Sequence, residues 1–399
     1  MIYNQYYNLE VSLNGQALEI SPNETYFSMH DSIHNFFSNS TIILNDSFGL
    51  MREYMMSIEG TLYDLSYGIE NLKNNLLKNS YVTISDETKE VMSNGVLNGK
   101  ISLNLLHSFY DKQEIQNAAY KKTISNIIDS LIESHFFKEK DIESTQGVTT
   151  WYQLGMNQKD FIEKVLIPNA YSDSADKTPF FAFIDNNNVF NFKSYKTMFN
   201  SSPVATLNFN PIKKEGSSIN SIYDIKPFRT GSLKTKSKRN RTLISRSLQN
   251  GSFTKEKDLM SSYPGTKENG ALLPILGNEK VVTDFIYQSY QYTDQGRKES
   301  FLGRKIFGQK DSFFLEKFII TLPFNPLLNS GKTVMLNLAI LNENRIPEYS
   351  LYNSGKYLIE DCIHSWVGGD IKRGSTQIIV SRKYCFIPST FNLKAKIMG

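Results

Sequence analysis

Phe313-Phe314-Leu315-Glu316-Lys317-Phe318-Ile319-Ile320-Thr321-Leu322 opens the stretch whose reading decides the fold. Pro323-Phe324-Asn325-Pro326 interrupts it, Asn329-Ser330-Gly331-Lys332 turns it, and Thr333-Val334-Met335-Leu336-Asn337-Leu338 follows. After a polar loop come Ser354-Gly355-Lys356-Tyr357-Leu358-Ile359 and finally Gln377-Ile378-Ile379-Val380-Ser381-Arg382, just short of Tyr384. Short runs of β-branched and aromatic residues, punctuated by Pro, Gly and Asn, predict antiparallel strands joined by turns.

Gly331-Lys332-Thr333 inside this stretch invites a nucleotide-binding reading. A P-loop needs a glycine five residues before Gly331, where Pro326 stands. The residues after it alternate like a strand, whereas the Lys-Ser/Thr of a P-loop opens a helix whose N-terminus faces phosphate. A turn before a strand accounts for the tripeptide.

The rest of the chain is consistent with strand-rich structure. Its 399 residues suggest two to four folding units, and 22 Tyr with 26 Phe lean towards sheet. No apolar run approaches the ~18 residues of a membrane-spanning helix. Met1-Ile2-Tyr3-Asn4-Gln5 lacks the basic start and apolar core of a signal peptide, so neither export nor a membrane anchor is expected. Cys362 and Cys385 are too few for a disulfide framework and are expected as buried thiols. His30 and His34 stand four apart, but Asp31-Ser32-Ile33 between them looks like the approach to a strand rather than a metal-binding helix. No metal or cofactor is expected.

The formal charge of +4 hides an asymmetry. Lys226, Arg229, Lys234, Lys236, Lys238, Arg239, Arg241 and Arg246 lie in one segment without an acid, so the remainder is mildly acidic. Interleaved with hydroxyls, these residues form a candidate partner- or phosphate-contacting segment. Phe228 is its one aromatic residue, which argues against base stacking. A docking loop for an acidic neighbouring subunit and a solvated loop are the other readings.

From the N-terminus, Tyr7 to Leu13 alternates, Asn14-Gly15 signals a hairpin, and Leu18-Glu19-Ile20 resumes the ladder. Strands are predicted at Tyr26–Ser32, Ser40–Asp46, Tyr81–Ile84 and Gly95–Leu106, with a loop at Asp64–Asn71. Asp111 and Glu114 fit a capping box, and Ile115, Ala118, Ile124, Ile127, Ile128, Leu131, Ile132 and Phe136 predict one face of a long helix. A shorter helix is expected after Asn157, with Phe161, Ile162, Val165 and Leu166 inward and Pro168 as its stop. Phe180–Ile184 and Val189–Phe192 flank a polar turn and predict a hairpin. Val204–Phe209 reads as a strand, Arg241–Leu248 as extended, Phe285–Tyr292 as weakly alternating, and Gln295–Phe307 as a polar helix.

No nucleophile elbow, zinc-protease helix or Cys-x-x-Cys pair appears. Glu53 with Glu59, or Glu360 with Asp361, are the carboxylate pairs open to a glycosidase reading. Surface carboxylates are common, and no catalytic residue is assigned.

Three stretches, taken in order, resemble the baseplate hub of T-even-type contractile phages and the related spikes of contractile injection systems. The first is Phe27-Ser28-Met29-His30-Asp31-Ser32-Ile33, Ser40 to Ser47 and Ile58 to Leu65. The second is Trp151-Tyr152, the helix around Phe161-Ile162 and the Phe180–Phe192 hairpin; the third is the opening stretch. The resemblance implies a mixed β and α+β fold of two antiparallel β-barrel tube domains with an inserted α+β domain. It places the first barrel at residues 1–107, the insert at 108–200, further barrel strands with the basic insertion at 201–295, and the rest of the second barrel at 296–399. It also implies a non-enzymatic, trimeric, pseudo-sixfold ring that joins tail tube to central spike for DNA ejection. Two barrels per chain let a threefold spike meet a sixfold tube. Its implied partners are the central spike protein, the tail tube or tube-initiator protein, neighbouring baseplate wedge proteins and the tape-measure protein. The implied location is the virion tail baseplate, assembled in the host cytoplasm. A virion-associated cell-wall hydrolase and a nucleic-acid-binding virion protein are the alternative readings. Residues 210–280, the basic segment included, match nothing in the family pattern.

Overall fold

A computed structural model describes residues 7–13, 16–18, 26–46, 62–69, 77–93, 96–175, 178–212, 218–227, 241–246, 253–258, 282–284, 303, 306–307, 310–314, 316–341, 347–350, 353–367 and 373–382. The first strands are β1 (Tyr7–Leu13), β2 (Gln16–Leu18), β3 (Tyr26–Ser32), β4 (Asn39–Asp46), β5 (Leu62–Ile69), β6 (Leu77–Ser93) and β7 (Val96–His107). β1 and β2 pair antiparallel on either side of Asn14-Gly15, as that dipeptide predicts. The loop expected at Asp64–Asn71 is largely strand: β5 pairs with both β1 and β6. Tyr63 and Leu65 face the core, so alternation decides the local structure despite the polar residues between them.

The middle of the chain contains β8 (Gln116–Lys122), β9 (Glu139–Ile142), β10 (Thr149–Met156), β11 (Phe180–Ile184) and β12 (Val189–Ser194). The long helix expected behind Asp111 and Glu114 does not form. Ser108–Lys112 is a 3-10 turn and Gln116–Lys122 is a strand paired with β10. Its side chains alternate between half-buried and exposed, and Ile115 is 74% exposed. The helix proper is Ile124–Leu131, started by the Thr123 hydroxyl, which accepts from Asn126 N–H. Asn157 caps the next helix as expected, accepting from Asp160 N–H at 2.7 Å. This helix runs from Gln158–Phe161 through a π turn at Ile162–Leu166 into Ile167–Asn169. Pro168 therefore sits within its last turn instead of ending it.

The remaining strands are β13 (Ala205–Phe209), β14 (Asp224–Pro227), β15 (Arg241–Arg246), β16 (Phe253–Asp258), β17 (Val282–Asp284), β18 (Glu316–Pro323), β19 (Thr333–Leu341), β20 (Pro347–Tyr349), β21 (Gly355–Val367) and β22 (Arg373–Arg382). Phe313 and Phe314, read as strand, lie instead in and just after a 3-10 turn at Lys310–Phe313. Of the expected polar helix at Gln295–Phe307, only Gly303, Ile306 and Phe307 are among the described residues, and these are helical. The segment Phe285–Tyr292 and Cys385 lie outside them, whereas Cys362 is a free, buried thiol.

Most strands join one 14-stranded, mainly antiparallel sheet in the order β14-β18-β22-β21-β3-β4-β7-β6-β5-β1-β2, with β19 also on β21 and β13 and β20 on β19. The two β-rich halves meet where β21 pairs with β3, from Asp361↔Ser32 to Val367↔Tyr26. Two separate closed barrels are the expectation; among the described residues the pairings close no barrel and carry one sheet through both halves.

The switch lies in β21. Its first residues pair with β19 and its last with β3, while β22 follows its length on the other side. A bulge at Glu360 separates the two zones. Before it Tyr357 and Ile359 face one core; after it Cys362, His364 and Trp366 are the buried residues. One extra residue moves the inward positions from odd to even numbers, as a bulge must.

Among the described residues, three apolar clusters sit around this frame. One fills the second half with Leu207, Ile320, Leu322, Val334, Leu336, Ile359 and Val380. One fills the middle of the chain, where Phe36 and Phe37 from the loop after β3 join Ile127, Trp151, Phe161, Phe180 and Phe190. A third, with Ile33, Phe181, Phe183, Met198, Phe314 and Leu358, takes residues from all three parts. Each fully buried Phe contributes ~1.5–3 kcal/mol over its exposed state.

Candidate functional site: the three-way junction

The carboxyl of Asp31 marks the point where the parts of the chain converge. Asp31 is the penultimate residue of β3 and is 1% exposed. Its Oδ2 accepts from Asn186 N–H at 2.9 Å, in the β11–β12 turn, and from Ser330 N–H at 3.2 Å, in the turn before β19. One side-chain oxygen thus ties together segments 155 and 299 residues away. Burial pushes its pKa well above the carboxylate range, the nearby Asp185 charge adds to this, and the two backbone N–H groups oppose it. Asp185 is raised by its own burial, while N–H groups of Val189 and Asn187 and the Lys332 charge act against the shift. Asp185 shapes the hairpin turn: its Oδ1 accepts from Asn187 N–H and Val189 N–H, and Asn188 takes φ 59°.

The Ser330–Thr333 turn is consumed by structure. Ser330 N–H is given to Asp31, Gly331 N–H to Ile359 O at 2.9 Å, and Lys332 N–H to Asn329 O at 3.3 Å. A phosphate cradle needs such N–H groups free and aimed at the ligand. Gly331 has φ 76°, and a Cβ there would come within 2.5 Å of the Phe183 ring. Glycine is required for packing against the hairpin, not for a nucleotide.

Beside this turn, Glu360 carries a buried ionic cluster. The bulge turns its side chain inward to 0% exposure, where Oε2 meets His34 Nε2 at 2.7 Å and Lys317 Nζ at salt-bridge contact. Ile33 N–H bonds the Glu360 carbonyl at 2.9 Å, so backbone and side chain both fasten the loop after β3 to β21. His30 lies 3.6 Å from Asp361. Burial raises the Asp361 pKa, but hydrogen bonds from His30 and Ser32 and electrostatic attraction to the His34 and His30 rings outweigh it and hold the carboxyl low. His30 and His34 thus serve separate carboxylates across the β3–β21 seam. Among the described residues no group of three or more His, Cys, Asp or Glu is arranged to hold a metal.

Cys362 and His364 look like a nucleophile and its base, with Sγ 3.4 Å from Nε2. Their environment opposes that chemistry. Both point at Leu328 O, at 3.2 Å and 3.0 Å, and His364 Nδ1 meets the Thr376 hydroxyl at 2.9 Å. Burial drives the thiol well above its ordinary pKa and the imidazole down to about 4, so a thiolate–imidazolium pair is disfavoured on both sides. The pair fastens β21 to the Leu328 carbonyl.

The basic segment is only partly described. Lys226 lies on β14, exposed and paired with Asp224 at 2.8 Å. Arg241 and Arg246 are the two ends of β15, which pairs with β16 and β17 in a three-stranded sheet of its own. Arg229, Lys234, Lys236, Lys238 and Arg239 lie outside the described residues, as do Glu53 and Glu59. Glu360 and Asp361 are neighbours on β21, and the first is committed to His34 and Lys317.

No known protein-family model matches the chain, and no curated protein sequence matches it. Solved structures do. A tail protein from Neisseria meningitidis MC58 aligns at TM-score 0.55 and 10% identity, covering 95% of this chain and 98% of that one. The 43 kDa tail protein of prophage MuSo2 from Shewanella oneidensis aligns at 0.58 and 11%, covering 95% and 99%. The E. coli c3393 protein, a type VI secretion component with structural similarity to the T4 tail proteins gp27 and gp5, aligns at 0.50 and 10%, covering 95% and 79%. At these identities the likeness is one of fold. The chain is therefore similar in fold to tail proteins, one of them from a prophage, and to a type VI secretion component that itself resembles T4 tail proteins, in line with the class its sequence resembles.

Proposed function

We propose that this protein is the structural hub of a phage tail baseplate. The observation that carries the reading is the end-to-end match with two tail proteins, one of them from a prophage, each covered to 98% or more. Both alignments run over 95% of this chain, which supports a structural role in the tail. In this reading residues 1–107 and 201–399 build two tube-like β units around the insert at 108–200, and the β3–β21 seam holds the units side by side. Three copies then present six β units to a sixfold tube and threefold symmetry to a central spike. The partners are the spike, the tube or its initiator, the surrounding wedge proteins and the tape-measure protein, within the virion tail. The segment from Lys226 to Arg246 docks on an acidic neighbour in that assembly.

Light scattering and negative-stain imaging of the purified chain test the proposal, with a trimeric ring as the expected result. A monomer at micromolar concentration in the presence of its spike protein overturns it. Neutralising the eight basic residues is expected to leave the ring intact and weaken wedge attachment. Salt-steep DNA binding lost in that variant would instead assign the segment to nucleic acid.

A further inference from the structure

The Asp31 carboxyl is bonded through Oδ2 alone; its Oδ1 is buried without a hydrogen-bond partner. Other buried polar atoms around it share that condition. Asn186, whose N–H holds Asp31, is 0% exposed and has neither Oδ1 nor Nδ2 partnered. Asn79 donates to Asn186 O at 3.2 Å and leaves Oδ1 unpartnered. Ser330 Oγ lies close enough to Asp31 to lower its pKa without reaching hydrogen-bond geometry. The Tyr81 hydroxyl faces Ser38 and Asn79 in the same way.

These groups belong to one connected place, the seam between β3, β6, the β11–β12 turn and the turn before β19. Apart from one amide nitrogen, the unpartnered atoms are all oxygens. No cationic side chain is paired with Asp31 among the described residues, and the charged neighbour that acts on it is another acid, Asp185. A buried, uncompensated carboxylate costs several kcal/mol, far more than an unpartnered dipole. Water satisfies dipoles but does not neutralise the charge. A proton on Oδ1 neutralises it but satisfies one acceptor. A small cation does both, because hard monovalent and divalent ions bind oxygen donors; Asp185 keeps its oxygens on its own turn, and one unpartnered carboxylate oxygen among amide and hydroxyl oxygens suits the lower charge.

We propose that the junction is a binding site for one alkali cation, sodium or potassium, held by Asp31 Oδ1 with the side-chain oxygens of Asn79, Asn186 and Ser330. The ion completes the joint between the two sheet halves and the insert, and it stabilises the folded chain by mass action.

Thermal unfolding of the full chain in sodium, potassium and choline chlorides at equal ionic strength and pH 8 tests this. The expected result is a saturable rise of ~2–4 °C in one alkali salt over choline. Asp31→Asn, which supplies its own donor and carries no charge, is expected to abolish that difference. Asn79→Ala is expected to raise the concentration at half-effect about tenfold or more, and serves where Asp31→Asn does not fold. Rubidium-soaked crystals are expected to show an anomalous peak beside Asp31 Oδ1. Equal melting temperatures in all three salts, a salt effect retained in both variants, or no rubidium peak would overturn the site and leave water or a proton on Asp31.

Discussion

Among single residues, the two buried histidines have the sharpest pH consequence. Phe109 N–H donates to His107 Nδ1, which leaves the ring proton on Nε2 for Asn188 Oδ1 at 2.8 Å. The ring stacks on Phe137, and burial lowers its pKa to about 4. A depressed folded pKa contributes stability above the unfolded value of 6.5, and that stability is lost as pH falls towards 4. The shift corresponds to roughly 3 kcal/mol at pH 4. Asp31 and Asp185, raised by burial, act in the opposite sense, their stabilisation fading as pH rises through their folded pKa values. Comparison with a variant separates these effects. His107→Gln retains a donor for Asn188 and is expected to lose about 3 kcal/mol less between pH 7 and 4 than wild type, measured by urea unfolding. Gly331→Ala is a second single-residue test. Its positive φ and the Phe183 ring at 2.5 Å make a cost of ~2–4 kcal/mol the expected outcome.

At the scale of elements, β21 explains what the sequence discloses and what it conceals. Its start, with β18, β19 and β22, is legible because alternation and breakers are local signals. The bulge is not, since Tyr357-Leu358-Ile359 is followed by Glu360, which a two-residue period alone cannot identify as the extra residue. The failure at Ile115–Phe136 has a related cause. A helical period over Ile124–Leu131 extends by chance across Ala118 and Ile115, while Gln116–Lys122 is claimed by its pairing with β10. The Asp31 junction was hidden for a simpler reason: its partners come from turns far along the chain, which no spacing rule connects. Glu360 gives the test at this scale. Glu360→Gln keeps the bulge and removes the buried carboxylate charge that Lys317 and His34 meet, an expected cost of ~2–4 kcal/mol. Deleting Glu360 shifts Cys362, His364 and Trp366 to the opposite face. Loss of soluble, cooperatively folding protein is the expected result of the deletion, and native-like near-UV circular dichroism in it would count against the bulge as the switch.

For the whole molecule, the continuous sheet makes a claim about cooperativity. If the two halves were independent units, destabilising one would leave amide protection in the other unchanged. Here β3 and β21 share seven register pairs, and the clusters interlock as well: Phe36 and Phe37 leave the first half to pack among Phe109, Phe161 and Phe190. Ile33, Phe183 and Leu358 likewise bring three parts into one cluster. Most of these contacts link residues far apart in sequence, so forming one half without the other leaves apolar surface and a strand edge exposed. Phe36→Ala probes this directly. Phe36 is 1% exposed, and removing its ring is expected to cost ~3–5 kcal/mol. Hydrogen exchange under native conditions is expected to show that cost in β4, in β12 and in β22 alike, because the slowest amides of each exchange through the same global opening. Protection lost in β12 but retained in β22 would make the insert a separate unfolding unit and reduce the seam to a contact between independent bodies. A uniform loss would make the β3–β21 seam the joint through which a load on either half is passed to the other, the mechanical property that the proposed hub role requires.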